Sequence, residues 1–91
     1  MYSIVTPERF LRRARAFFKR HPDLKSRFKS MVTDLQKDPF ASHLKLHPLK
    51  GRLEGCYSCS LTYSYRITLT VALVEKQLIL LDIGSHDHVY R

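Results

Sequence analysis

The chain has 91 residues, 44% of them hydrophobic, and 16 Lys and Arg against eight Asp and Glu give a formal net charge of +8. From this length we expect one domain with a modest core, spanning residues 1–91, and no second domain. No apolar stretch approaches the ~20 residues of a membrane helix and no signal peptide is visible, so we expect a cytoplasmic protein without a membrane partner.

The N-terminal part of the sequence predicts one strand and two helices. Residues 2–5 form a short apolar segment that ends before Pro7. Apolar residues then recur at helical spacing over residues 7–20, and again from residue 22 or 23 to residue 37. The Pro-containing joint between the two segments predicts an antiparallel helix hairpin that packs on one face of a sheet.

The C-terminal part predicts three strands after a polar, basic connection over residues 40–55. The strands cover residues 56–62, 65–73 and 78–83, and short turns between them imply an antiparallel meander. In the second strand, apolar and polar residues alternate, which places Arg66 on the side away from the helices. The element order is therefore β-α-α-β-β-β, an α+β fold with an antiparallel sheet, helices on one face and the other face partly open.

Side chains that could transfer protons or bind phosphate follow the last predicted strand and lie on the open face of the sheet. His86 and His88 follow the last apolar run, and a histidine near its ordinary pKa transfers protons at neutral pH. Arg66 is the second candidate, since a guanidinium holds a phosphate through two parallel hydrogen bonds; the alternative is a solvated strand residue. His47 has two interpretations. In the functional one it binds phosphate or transfers a proton, and in the structural one it only caps a turn before Pro48.

Metal and cofactor chemistry is not expected. Cys56 and Cys59 form a single C-x-x-C pair, whereas a zinc site needs about four ligands. His86 and His88 lack a fitting acidic or Cys partner. The glycines are too few and too dispersed for a phosphate-binding loop.

Several segments together resemble the RelE/ParE superfamily of bacterial type II toxin–antitoxin toxins, and within it the RelE/StbE and YafQ-like branch. They are the element order, His47-Pro48-Leu49-Lys50-Gly51, Tyr63-Ser64-Tyr65-Arg66-Ile67, and Asp82-Ile83-Gly84-Ser85-His86-Asp87-His88-Val89-Tyr90. The resemblance implies a RelE-like fold and a ribosome-dependent mRNA endonuclease. Such enzymes cut the codon in the ribosomal A site by attack of the RNA's own 2′-OH, without a metal or cofactor.

The resemblance also implies roles for individual residues. His86 resembles the C-terminal catalytic histidine of YafQ-like toxins, Tyr90 their C-terminal aromatic, Arg66 the strand arginine and His47 the histidine of the H-P-L motif. Residues expected to support RNA binding are Lys45, Lys50, Arg52 and Arg91. At two places where YafQ-like enzymes carry a further His and an Asp, this chain has Ser60 and Ser64.

The expected partners are the ribosome, mRNA and a cognate antitoxin in a hetero-oligomeric complex. The cationic face of the first helix is the predicted antitoxin surface and comprises Arg9, Arg12, Arg13, Lys19 and Arg20. The alternative function is a non-catalytic, ParE-like inhibitor of DNA gyrase, or a plain nucleic-acid-binding module, because the superfamily alone does not determine the target.

Overall fold

Two helices and five strands make up residues 1–85, the part of the chain that the computed structural model describes. The predicted α+β fold is confirmed. In chain order the elements are β1 (Ser3–Val5), α1 (Glu8–Arg20), α2 (Lys25–Lys37), β2 (His47–Pro48), β3 (Tyr57–Ser60), β4 (Tyr65–Ala72) and β5 (Gln77–Ser85).

The two helices form the expected hairpin. Phe10, Ala14 and Phe18 recur every four residues on α1 and are buried, because this spacing brings them onto one stripe of the helix. A single 3-10 turn, Pro22–Leu24, leads into α2. The ring of Phe28 on α2 lies 6.2 Å from that of Phe10 and 5.3 Å from that of Phe18, which joins the helices. Within residues 1–85, neither helix is long and apolar enough to span a bilayer.

The sheet has the strand order β1-β5-β4-β3-β2. The expected antiparallel meander is present in β3, β4 and β5, whereas β1, at the edge of the sheet, runs parallel to β5. The parallel pair is possible because the helix hairpin carries the chain across the sheet before it returns. The structure also adds β2: the segment around His47 was expected to be only a connection, but it pairs with β3.

The core lies between the helices and one face of the sheet. Ile67 and Leu69 of β4, Leu78 of β5 and Leu35 of α2 are fully buried. Burying each of these side chains contributes about 1.5–3 kcal/mol to folding. This packing makes the sheet a rigid platform for the residues on its other face.

A β-bulge interrupts the pairing of β4 with β5. Thr68 lies opposite Asp82 and Leu69 lies opposite Leu80, so Leu81 has no partner on β4. Leu80 and Ile83, three residues apart, are therefore both buried, whereas a regular strand would turn them to opposite faces.

Candidate catalytic groove

Arg66 projects from the face of β4 opposite the buried core residues. Its neighbours Ile67 and Leu69 face the helices, so alternation turns Arg66 to the open side. Nη1 of Arg66 donates a 2.9 Å hydrogen bond to the hydroxyl of Ser60, its partner in the register of β3. Among residues 1–85 no acidic group pairs with this half-buried guanidinium, so its remaining N–H groups are available to a ligand.

An open groove of about 430 Å³ brings most of the predicted site residues of this region together. Its lining includes Arg66, His47, Lys50 and Arg52, with Pro48, Leu49 and Leu53 as its apolar part. The pairing of β2 with β3 places His47 opposite Ser58, two residues before the partner of Arg66. A turn at Gly51, whose φ of 69° favours glycine, then returns the chain toward the groove.

The orientation of His47 leaves one ring nitrogen able to accept a proton. Nδ1 lies 2.9 Å from the backbone carbonyl oxygen of Lys45. Because a carbonyl oxygen only accepts, Nδ1 must carry the hydrogen, and in the neutral ring Nε2 keeps its lone pair. The side chain is exposed, so the lone pair of Nε2 can accept a proton from a group that enters the groove.

The electrostatics of the groove favour an anion. Lys50 and Arg52 are exposed and Arg66 is half-buried, and no carboxylate lines the groove among residues 1–85. Such an array of cations attracts phosphates and stabilises negative charge that develops during reaction. Lys45 is exposed and contacts His47 through its carbonyl, but its side chain is not part of the lining.

Three of the predicted site residues, His86, Tyr90 and Arg91, lie outside the described residues. Their positions relative to Arg66 and His47 therefore stay predictions.

The predicted antitoxin surface on α1 divides into two kinds of cation. Arg13 donates hydrogen bonds to both carboxylate oxygens of Asp82, the longer at 3.2 Å, and the bond raises the pKa of Arg13. Arg13 thus ties α1 to β5. The others are exposed: Arg9, Arg12, Lys19 and Arg20.

The two cysteines do not form a reactive pair. Cys56 precedes β3 and is half-buried, while Cys59 is fully buried, where desolvation raises the pKa of its thiol to about 12. Within residues 1–85, no three His, Cys, Asp or Glu side chains cluster closely enough to hold a metal ion.

The contact between Ser60 and Arg66 was not predicted from the sequence motifs. The two residues flank the turn between β3 and β4, and a hairpin register would have predicted their contact.

Comparison with solved structures finds toxins that match over nearly the whole chain. A metal-bound toxin from Helicobacter pylori is 30% identical, with 98% of this chain and 99% of that chain covered and a TM-score of 0.79. YafQ from E. coli strain BL21(DE3) is 19% identical, with both chains fully covered (100% each) and a TM-score of 0.81. A chain of the E. coli DinJ-YafQ toxin-antitoxin complex is 21% identical over 99% of this chain and 98% of that chain, with a TM-score of 0.78.

No protein-family model matches the sequence, and no curated protein matches it. The similarity is therefore carried by the three-dimensional arrangement together with the identity to the Helicobacter pylori toxin.

Proposed function

The chain belongs to the RelE/ParE toxin superfamily, and from this premise we propose that it is the toxin of a type II toxin–antitoxin pair and a ribosome-dependent mRNA endonuclease. The observation that carries the proposal is the groove in which Arg66, His47, Lys50 and Arg52 converge. A fixed guanidinium, an accessible imidazole nitrogen and flanking cations supply the base and the charge stabilisation that phosphodiester cleavage by an internal 2′-OH requires.

In the proposed reaction, Nε2 of His47 removes the proton of a ribose 2′-OH. The 2′-oxygen then attacks the adjacent phosphorus, forming a 2′,3′-cyclic phosphate and releasing the 5′-oxygen of the next nucleotide. Arg66 and Lys50 stabilise the charge that builds on the phosphoryl oxygens. A proton from His86 or Tyr90 completes the departure of the 5′-oxygen, and each proton transfer contributes about 10²–10⁴-fold.

The proposed partner outside the ribosome is a cognate antitoxin. A structural relative of this chain is found in the DinJ-YafQ toxin-antitoxin complex. In this chain the exposed cations of α1, namely Arg9, Arg12, Lys19 and Arg20, suit an acidic segment that folds on binding. Arg13 is engaged by Asp82 and would contribute less.

The test is cleavage of a translated message. Purified full-length chain is added to ribosomes stalled on a defined mRNA, and new 5′ ends are mapped by primer extension. We expect cuts at A-site codons, slowed at least ~100-fold by His47→Ala. His43→Ala is the matched control, because His43 is also exposed but pairs with Asp34, 2.9 Å away and outside the groove. Intact messages in this assay, together with gyrase–DNA cleavage complexes when the chain is incubated with purified gyrase and plasmid DNA, would favour the ParE-like alternative instead.

A further inference from the structure

A second cleft, of about 390 Å³, lies at the same end of the sheet but on the side of the helices. Tyr65 lines this cleft and Arg66 lines the catalytic groove, and consecutive strand residues point to opposite faces. Their partners on β5 are Ser85 and Gly84. The cleft and the groove therefore lie on opposite faces of the sheet at the beginning of β4.

One wall of the cleft is aromatic. The ring centroid of His21 lies 4.6 Å from that of Phe17 and 4.7 Å from that of Tyr65, and the last two rings are 5.0 Å apart. All three side chains are half-buried, so each contributes accessible ring surface. An unpaired base stacks favourably on such rings, and the stacking tolerates any base because every base has a flat aromatic face.

The remaining lining supplies positive charge and space. Arg20 is exposed at the rim, and the hydrogen bonds of Arg13 to Asp82 hold the wall of α1 against β5. Among the described residues no carboxylate lines the cleft. Ala16, which is exposed between these cations, leaves the entrance open because its side chain is short.

We propose that this cleft binds an unpaired base of single-stranded RNA, next to the nucleotide that is cut in the groove. The RNA strand passes around the ends of β4 and β5, with its phosphates near Arg66 on one side and a base against His21 and Tyr65 on the other. The position of this base relative to the cut rests on the proposed endonuclease function, whereas base stacking in the cleft does not.

A steric block tests the cleft without touching its rings. Ala16→Leu adds an apolar side chain at the cleft and keeps a strong helix former in α1. Thr33→Leu places the same side chain at an exposed position of α2 that does not line the cleft, and serves as the control. The full-length protein is titrated with 5′-AMP and 5′-UMP, and ring-proton signals of His21 and Tyr65 are followed by NMR. We expect saturable shifts with both nucleotides, at least 10-fold weaker apparent affinity in Ala16→Leu, and unchanged binding in Thr33→Leu.

Two results would overturn the proposal: shifts confined to the groove, or equal shifts with inorganic phosphate alone, which would identify an anion site. Cleavage of ribosome-bound mRNA by the same preparations distinguishes this inference from the endonuclease function. Ring shifts that persist in Arg66→Ala, which should not cleave, support base binding in the cleft. If the parent chain cleaves mRNA but nucleotides shift no ring signal of His21 or Tyr65, the endonuclease function is supported and base binding in the cleft is refuted.

Discussion

Replacement of Ser60 with alanine is expected to slow RNA cleavage by about 10-fold, through loss of the orientation of Arg66. The Ser60 hydroxyl accepts a 2.9 Å hydrogen bond from Nη1 of this half-buried guanidinium. A hydrogen bond to a charged group contributes about 1.5–3 kcal/mol. Partial exposure favours the lower end of this range, and about 1.4 kcal/mol corresponds to tenfold in rate.

The assay is single-turnover cleavage of a message held in stalled ribosomes, with co-sedimentation as a separate measure of ribosome binding. Ser60→Ala should reduce the cleavage rate while binding changes less than about twofold, since the charge of Arg66 is retained. Ser60→Thr keeps the hydroxyl and suits a strand, so it should retain most of the parent rate.

A second substitution determines whether Ser60 acts through Arg66. Arg66→Lys keeps the charge but loses the planar fork, and should impair cleavage more than ribosome binding. In that background Ser60→Ala should cause little further loss, because the interaction is already gone. Equal rates for the alanine variant and the parent, equal losses for the alanine and threonine variants, or fully additive losses with Arg66→Lys would each refute the reasoning.

Further predictions concern His47, the two cysteines and the exposed cations of α1. His47→Asn, whose amide can still donate to the Lys45 carbonyl but which lacks Nε2, should lose cleavage as fully as His47→Ala; a rate near that of the parent would remove His47 as the base. Because burial raises the pKa of Cys59 to about 12, alkylation at pH 8 should modify Cys56 alone until the protein unfolds, as mass spectrometry would reveal. Above pH ~8.5 the Cys59 thiol of the unfolded chain loses its proton, whereas the buried thiol of the folded chain stays neutral until the pH nears 12. The free energy of unfolding, measured by urea denaturation, should therefore fall by up to ~1.4 kcal/mol per pH unit over this range and be unaffected by Cys59 at lower pH. Changing Arg9, Arg12 and Lys19 to Glu should slow association with the antitoxin and flatten its salt dependence, whereas the same change at Lys29, Lys37 and Lys76 should not; identical association of the first variant and the parent at every salt concentration would exclude α1 as the docking surface.

Local patterns were sufficient to predict the helices and the face of Arg66. The helical spacing of Phe10, Ala14 and Phe18 survives in the structure because the same stripe is needed to cover the sheet. Strict alternation around Ile67 likewise determines which side of β4 faces the helices.

Contacts between distant parts of the chain could not be predicted from local sequence patterns. Arg13 and Asp82 are separated by 69 positions, and no local pattern pairs them. The strand that carries His47 contains Pro48, which argues against a strand except at a sheet edge, where β2 in fact lies. His21 resembles an ordinary helix-end residue until the sheet brings Tyr65 against it.

The extra residue of the bulge decides what stands beside the guanidinium of Arg66. With Leu81 unpaired, Gly84 is opposite Arg66 and adds no side chain there. If the register before the bulge, in which Leu69 pairs with Leu80, continued without interruption, Ile83 would be opposite Arg66 instead. The space beside Arg66 thus depends on the number of residues in β5 as well as on their identity. A homologue that retained each side chain of the groove but lacked one residue in this strand would place a branched apolar group opposite Arg66.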